Sequence, residues 1–198
     1  KVLAAEKYFV VGDVLLTDGT RIKAENAQYG IPSDKNAFAV IASAPYGGAT
    51  GKAIGLQRSA SELMWAPSGT TGCNTKFTNI VCEPSQTGSG TASTATFTGD
   101  TDGSDNWAEI CAVDPTGTAD AATNYPAFNF ANTYGTTAGL TGTDYENGWY
   151  VPSIAELCEV YKNKDVIQTS LTKASGFYFG SDSYWSSSQY ASACFVYQ

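Results

Sequence analysis

Residues 67–103 are mostly Gly, Ser, Thr, Asn and Pro, punctuated only by Phe77, Ile80, Val81 and Phe97. No core can be built from such a stretch alone, so it reads as a long loop or insertion, and the flanking segments must supply the apolar interior. On the N-terminal side, two β-prone runs in residues 8–22 surround Asp18-Gly19, a strong hairpin dipeptide. Residues 37–44 (Ala-Phe-Ala-Val-Ile-Ala-Ser-Ala) form a short apolar run between Asp34-Lys35-Asn36 and Pro45, which suits a buried strand better than a helix. Residues 52–56 and 63–66 are expected to continue a sheet.

On the C-terminal side the pattern turns helical. Residues 105–113 read as a short helix with Trp107, Ile110 and Cys111 on one face, ending before Asp114-Pro115. Residues 125–135 repeat that logic, with Pro126 near the start and Gly135 as the expected stop. In residues 148–157 (Gly-Trp-Tyr-Val-Pro-Ser-Ile-Ala-Glu-Leu), Ser153 and Glu156 have the spacing of a capping box. Ile154, Leu157, Cys158 and Tyr161 follow as a core-facing stripe. Asp165 is placed to cap a second helix through Val166, Ile167 and Leu171, with Gly176 as its stop. Residues 177–179, 184–188 and 193–197 then read as strands. The fold class is therefore α+β with long loops and insertions, and no repeat or composition break divides residues 1–198 into two domains.

Composition narrows the function. Asp and Glu outnumber Lys and Arg by 19 to 11, a net charge of -8 that repels phosphate backbones and anionic membranes, so no nucleic-acid partner is expected. Only 15% of residues are charged, and polarity comes instead from Ser, Thr, Asn and Gly, which points to an exported, solvent-washed surface. The chain has no histidine, which removes His-based triads, His-ligated zinc and His proton shuttles. No apolar run reaches the roughly 18 residues of a spanning segment. Any export signal or lipid anchor is expected to lie upstream of Lys1 or to have been removed.

Five cysteines occur without CxxC spacing. Cys73 and Cys82 are close enough for a local disulfide, and Cys82 equally suits a buried strand. Cys158 and Cys194 read as buried and inert, since neither has the cationic surroundings that lower a thiol pKa, beyond Lys162 a turn from Cys158. Asp100, Asp102 and Asp105 sit in a Gly-containing loop that offers oxygen to calcium. The plainer reading is an acidic turn with Asp105 capping the Trp107 helix. Asp144, Glu146 and Glu156 are the carboxylates available for glycoside chemistry, and Glu156 already has a capping role. Neither a cofactor nor a metal is expected. Among the aromatic residues near the C-terminus (Phe177, Tyr178, Phe179, Tyr184, Trp185, Tyr190, Phe195 and Tyr197), Trp185 and Phe195 suit a core, and Tyr190 and Tyr197, amid Ser and Gln, suit exposure.

The string at residues 148–157, together with Tyr-Trp-Ser-Ser-Ser-Gln-Tyr-Ala-Ser at residues 184–192, resembles the variable proteins of diversity-generating retroelements. The resemblance covers residue 107 to the C-terminus well and residues 51–56 loosely. It implies a C-type lectin-type fold of the formylglycine-generating-enzyme-like subclass, whose C-terminal strands and loops carry diversified, ligand-binding residues. Trp185, Ser186, Ser187 and Ser188 match the fixed scaffold of that family. Gln189, Tyr190, Ser192, Ala193, Tyr197 and Gln198 fall where diversification begins and are the candidate ligand contacts. Members of the family usually continue through a Gly/Asn-rich stretch to a closing strand, so the variable region is expected to extend past Gln198. The implied protein is a monomeric, non-catalytic surface binder of a protein or glycan, displayed at the cell surface or outer membrane, with lipoprotein anchoring upstream. A fixed adhesin or envelope module shares these features. A formylglycine-generating type of enzyme is the remaining alternative, for which Cys194 lacks a neighbouring cysteine.

Overall fold

The computed structural model describes residues 9–43, 51–85, 94–180, 183–190 and 193–197, with the backbone alone for 190 and 193–197. The hairpin expected at Asp18-Gly19 is formed by β1 (Val14–Leu16) and β2 (Arg21–Ile22), paired Val14 to Ile22 and Leu15 to Arg21. Gly19 takes φ 81°, a left-handed conformation that glycine adopts without steric cost. The Asp18 carboxylate pairs with Lys35 and accepts from Thr20 Oγ1 and N, contacts that hold it well below the usual carboxylate range. β1 then pairs antiparallel with β3 (Ala37–Ser43), and β3 with β4 (Lys52–Gly55), giving a sheet of order β2-β1-β3-β4. In β3 five consecutive residues, Phe38 to Ala42, are buried, as its continuous apolar run implies.

A short helix α1 (Ala24–Ala27) and the later helix α9 (Lys164–Lys173) complete this first unit, which comprises the chain up to Arg58 together with Glu159–Gly180. Its core is aliphatic: Val14, Leu16, Val40, Ala42, Ile167 and Leu171 pack as one cluster. Asp13 is buried and accepts from Val10 N, Ala24 N and Arg21 Nη1 at 2.9–3.1 Å. Two expectations are corrected here. Asp165 does not cap α9, which begins at Lys164, so its charge sits in the first turn where the helix dipole favours it. The left-handed stop is Ser175 (φ 57°), with Gly176 N donating to Leu171 O and Ser175 N to Thr172 O in a Schellman motif. Residues 177–179 are also not a strand. Phe177 and Phe179 meet edge to face at 4.9 Å and pack against the aliphatic core, and Phe179 N donates to the Gln168 side chain.

The second unit comprises Ser59–Cys158 and the chain from Ser181 onward. Residues 63–66, expected as strand, are irregular, because Trp65 leaves any ladder to become the centre of an aromatic core with Phe77, Tyr125 and Phe128. The Gly/Ser/Thr-rich stretch contributes more than a loop. It forms α2 (Thr71–Asn74), a 3₁₀ turn at Thr78–Ile80, and the antiparallel pair β5 (Cys82–Pro84) and β6 (Phe97–Gly99), and it sends Phe77 and Ile80 into the core. Helices α3 (Asn106–Val113), α4 (Pro115–Thr118), α5 (Ala121–Asn124), α6 (Pro126–Asn132) and α7 (Tyr134–Thr137) follow in close succession. Gly135 lies inside α7 and does not end a helix. A Cβ there would collide with the Glu146 backbone carbonyl, so close approach is its role. Helix α8 (Ile154–Lys162) and the hairpin β7 (Tyr184–Tyr190) and β8 (Ala193–Tyr197) complete the α+β architecture with its small antiparallel sheets.

Candidate functional site

Strand β7 is where side-chain chemistry concentrates. It pairs with β8 through Tyr184 to Tyr197, Trp185 to Val196, Gln189 to Cys194 and Tyr190 to Ala193. Between the inner pairs, Ser186, Ser187 and Ser188 stand opposite the single residue Phe195, so the strand bulges and its polar groups turn to other partners. Ser186 O accepts from Trp65 Nε1 at 3.0 Å, and Trp185 Nε1 donates to Leu63 O at 2.5 Å. Ser187 N donates to Pro152 O, and Ser187 Oγ accepts from Asn106 Nδ2 at 2.8 Å. Ser188 Oγ accepts from Ile154 N at 3.0 Å. All three serines are at most 1% exposed. A buried hydroxyl or amide left without a partner costs about 1–3 kcal/mol, so this pattern fixes β7 in one register.

The first turn of α8 shows how complete that fixation is. Ile154 N is taken by Ser188, Ala155 N by the Cys82 sulfur, and Glu156 N by Ser153 Oγ, while Ser153 N returns to Glu156 Oε2 at 2.7 Å. The capping box expected from sequence is present, and it reaches further. Glu156 also accepts from Gly103 N and Tyr150 OH, and Ser153 Oγ donates to Thr101 O. Burial, reinforced by nearby Asp100, pushes the Cys82 thiol up to about 11. Burial likewise raises Asp100, with Asp105 and Asp102 adding repulsion.

The carboxylates singled out in sequence serve the fold. Asp100 accepts from Asp102 N and Asp102 from Ser104 N, so the acidic window is a run of self-capped turns. Among the described residues no group of three or more His, Cys, Asp or Glu side chains converges as a metal site would require. Asp105 stands at the N-cap of α3 without a side-chain hydrogen bond there, a correction to its expected role, because Asn106 and not Asp105 engages β7. Glu146 accepts from Gly142 N, Glu156 is occupied in the capping box, and Asp144 is exposed. Cys73 is exposed and Cys82 buried, both free thiols, so of the two readings the buried strand cysteine applies. Cys158 is buried and free.

The candidate ligand contacts do not form one group. Gln189 is corrected outright: it is 2% exposed, its Oε1 accepts from Phe77 N at 2.8 Å, and its Nε2 donates to Thr75 O at 3.1 Å. Its amide is thus spent inside the unit and unavailable to a ligand. Tyr190 and Ala193 are cross-strand partners at one end of the hairpin, and Tyr197 pairs with Tyr184 at the other. Ala193 and Tyr197 are four positions apart in β8, roughly 13 Å at the usual rise. Ser192 and Gln198 lie outside the described residues. The anchors that sequence reasoning missed are Trp65, Thr75, Phe77 and Asn106, whose bonds to β7 span 81 to 121 residues and leave no local pattern. Among the described residues no helix is long and apolar enough to cross a membrane. Comparison with protein-family models, characterised proteins and solved structures finds no match.

Proposed function

We propose that this chain is a surface-displayed ligand-binding protein of the retroelement-diversified type, with a C-type lectin-type fold of the formylglycine-generating-enzyme-like subclass. The observation that carries the reading is the anchoring of β7 from Trp185 through Gln189. Every residue from Trp185 to Gln189 has a side-chain or backbone group committed to a partner elsewhere in the unit. A strand fixed through Gln189 that leads directly into the hairpin turn is what a protein needs if substitutions beyond it are to change its ligand without changing its fold. Surface substitutions away from such commitments usually alter stability by about 0.5 kcal/mol or less. Tyr190, Ser192 and Ala193 are the primary candidate contacts, Tyr197 and Gln198 belong to the far end of the hairpin, and Gln189 is removed from the set. The ligand is a protein or glycan, the protein acts as a monomer without catalysis, and it is exported to the cell surface.

The test is to sequence the 3′ end of the gene from many cells of one culture and count substitutions per codon. The reading expects variation clustered from codon 190 onward at adenine-derived positions, with codons 185–189 constant. An invariant end would overturn diversification and leave a fixed adhesin or envelope module.

A further inference from the structure

An aspartate or asparagine followed by glycine can react with its own backbone, because a glycine, having no Cβ, lets its nitrogen approach the preceding side-chain carbonyl carbon. The chain has three such dipeptides, Asp18-Gly19, Asp102-Gly103 and Asn147-Gly148, and none of the other asparagines precedes a glycine. The fold treats the three differently. Gly19 N donates to Leu16 O at 3.0 Å, and the Asp18 carboxylate is held by Lys35 and Thr20. Gly103 is buried, its N donates to Glu156 Oε2 at 3.0 Å, and Asp102 Oδ1 accepts from Ser104 N. At the third site both residues are exposed, and among the described residues neither Gly148 N nor the Asn147 side chain has a hydrogen-bond partner. A Cβ on Gly148 would meet nothing within 4 Å, so the space around its backbone is open. The residues on either side are tied down: Glu146 N donates to Thr143 O at 3.2 Å, and Trp149 Nε1 to Tyr145 O at 2.8 Å.

We infer that Asn147 is a self-modification site of the folded protein, converted in water to aspartate and isoaspartate through a ring closed by Gly148 N. The inference is independent of the binding role proposed above. In the first step Gly148 N gives up its proton and attacks Asn147 Cγ. The N–Cγ bond forms, the Cγ–Nδ2 bond breaks, and the amide nitrogen leaves as ammonia, taking up that proton. Water then opens the succinimide. Cleavage at Cγ returns an ordinary peptide bond with aspartate at 147, and cleavage at the main-chain carbonyl gives isoaspartate, with the chain running through the side chain. Either product adds a negative charge to a unit whose only Lys or Arg is Lys76. The isoaspartyl product also lengthens the backbone by one methylene. It does so inside the loop that the Trp149 to Tyr145 bond closes, next to the Trp149 ring that lies 4.4 Å from Tyr134, so the seat of Trp149 is where the extra length must be absorbed. At the two aspartate sites the same ring would have to form at a nitrogen already bonded to an acceptor, which the fold opposes.

The test compares the folded chain with the same chain in denaturant, both incubated in mildly alkaline buffer and sampled over time. Peptide mapping by mass spectrometry follows the gain of one mass unit at each asparagine, and fragmentation separates isoaspartate from aspartate at 18, 102 and 147. The inference expects residue 147 to convert in the folded chain at least tenfold faster than any other asparagine, with isoaspartate among its products. It expects isoaspartate at 18 and 102 only in the denatured chain. On anion exchange the folded chain should give a later-eluting acidic form that Asn147→Gln abolishes. Conversion at 147 in denaturant but not in the folded chain would overturn the inference, and so would isoaspartate arising at 102 in the folded chain as fast as at 147.

Discussion

The two units solve the same problem with different materials. In the first, strands β1 to β4 and helix α9 enclose an aliphatic cluster of Val14, Leu16, Val40, Ile167 and Leu171, and burial alone carries most of the stabilisation. In the second, Trp65, Phe77, Tyr125 and Phe128 form an aromatic core, and β7 is fastened within the unit by hydrogen bonds donated from Trp65, Phe77, Asn106 and Ile154. An aliphatic core accepts swaps of similar volume, whereas a buried polar network ties each member to its position, and here even Ser186 Oγ and Asn106 Oδ1 are buried without a hydrogen-bond partner among the described residues. The second arrangement holds a strand in a single register, the property that the proposed display role requires.

The largest effect is expected at the centre of the aromatic core. Trp65→Ala removes three ring contacts at 5.0–5.9 Å and the Ser186 bond, and should cost about 3–5 kcal/mol in denaturant unfolding. Leu171→Ala in the aliphatic core should cost about 2–4 kcal/mol, but Leu171→Met less than about 1.5 kcal/mol. If the units differ as described, no comparably shaped change rescues Gln189. Gln189→Leu leaves Phe77 N and Thr75 O without partners and should cost about 1–3 kcal/mol, and a neutral result would erase the contrast between the units. Smaller still is Ser175→Gly, expected to stabilise by about 0.5–1 kcal/mol because Ser175 sits at φ 57° in the Schellman turn of α9. The thiols provide a check without mutation. Cys73 should react with a maleimide in the folded state, while buried Cys82, its thiol pushed up to about 11, should react only on unfolding.

What was legible in the sequence was local. Asp18-Gly19 announced a hairpin, residues 37–44 a strand, and Ser153 with Glu156 a helix start, because each device works over three or four residues and depends on nothing distant. Trp65 was read as strand and Gly135 as a helix stop because what each meets, Ser186 and the Glu146 carbonyl, is supplied by another part of the chain. Gln189 failed for the same reason. A glutamine among Ser and Tyr looks solvent-facing until the Thr75 to Phe77 backbone, more than 110 residues earlier, arrives with a donor and an acceptor. The serine triplet illustrates the limit most clearly, since three consecutive hydrophilic residues are among the most buried in the chain. Composition indicates surface there, and only tertiary partners reverse it.

The central claim is that β7 is committed to the scaffold through Gln189 and that the proposed display positions follow it, and paired randomisation tests it most directly. One library varies codons 186–189 and the other codons 190, 192 and 193, with surviving protease-resistant folded protein counted in each. The account predicts that most members of the second library remain folded, with midpoints close to the parent chain, while few members of the first do. Equal survival in the two libraries, or Tyr197→Ala proving as destabilising as Trp185→Ala, would contradict the division between fixed strand and display hairpin.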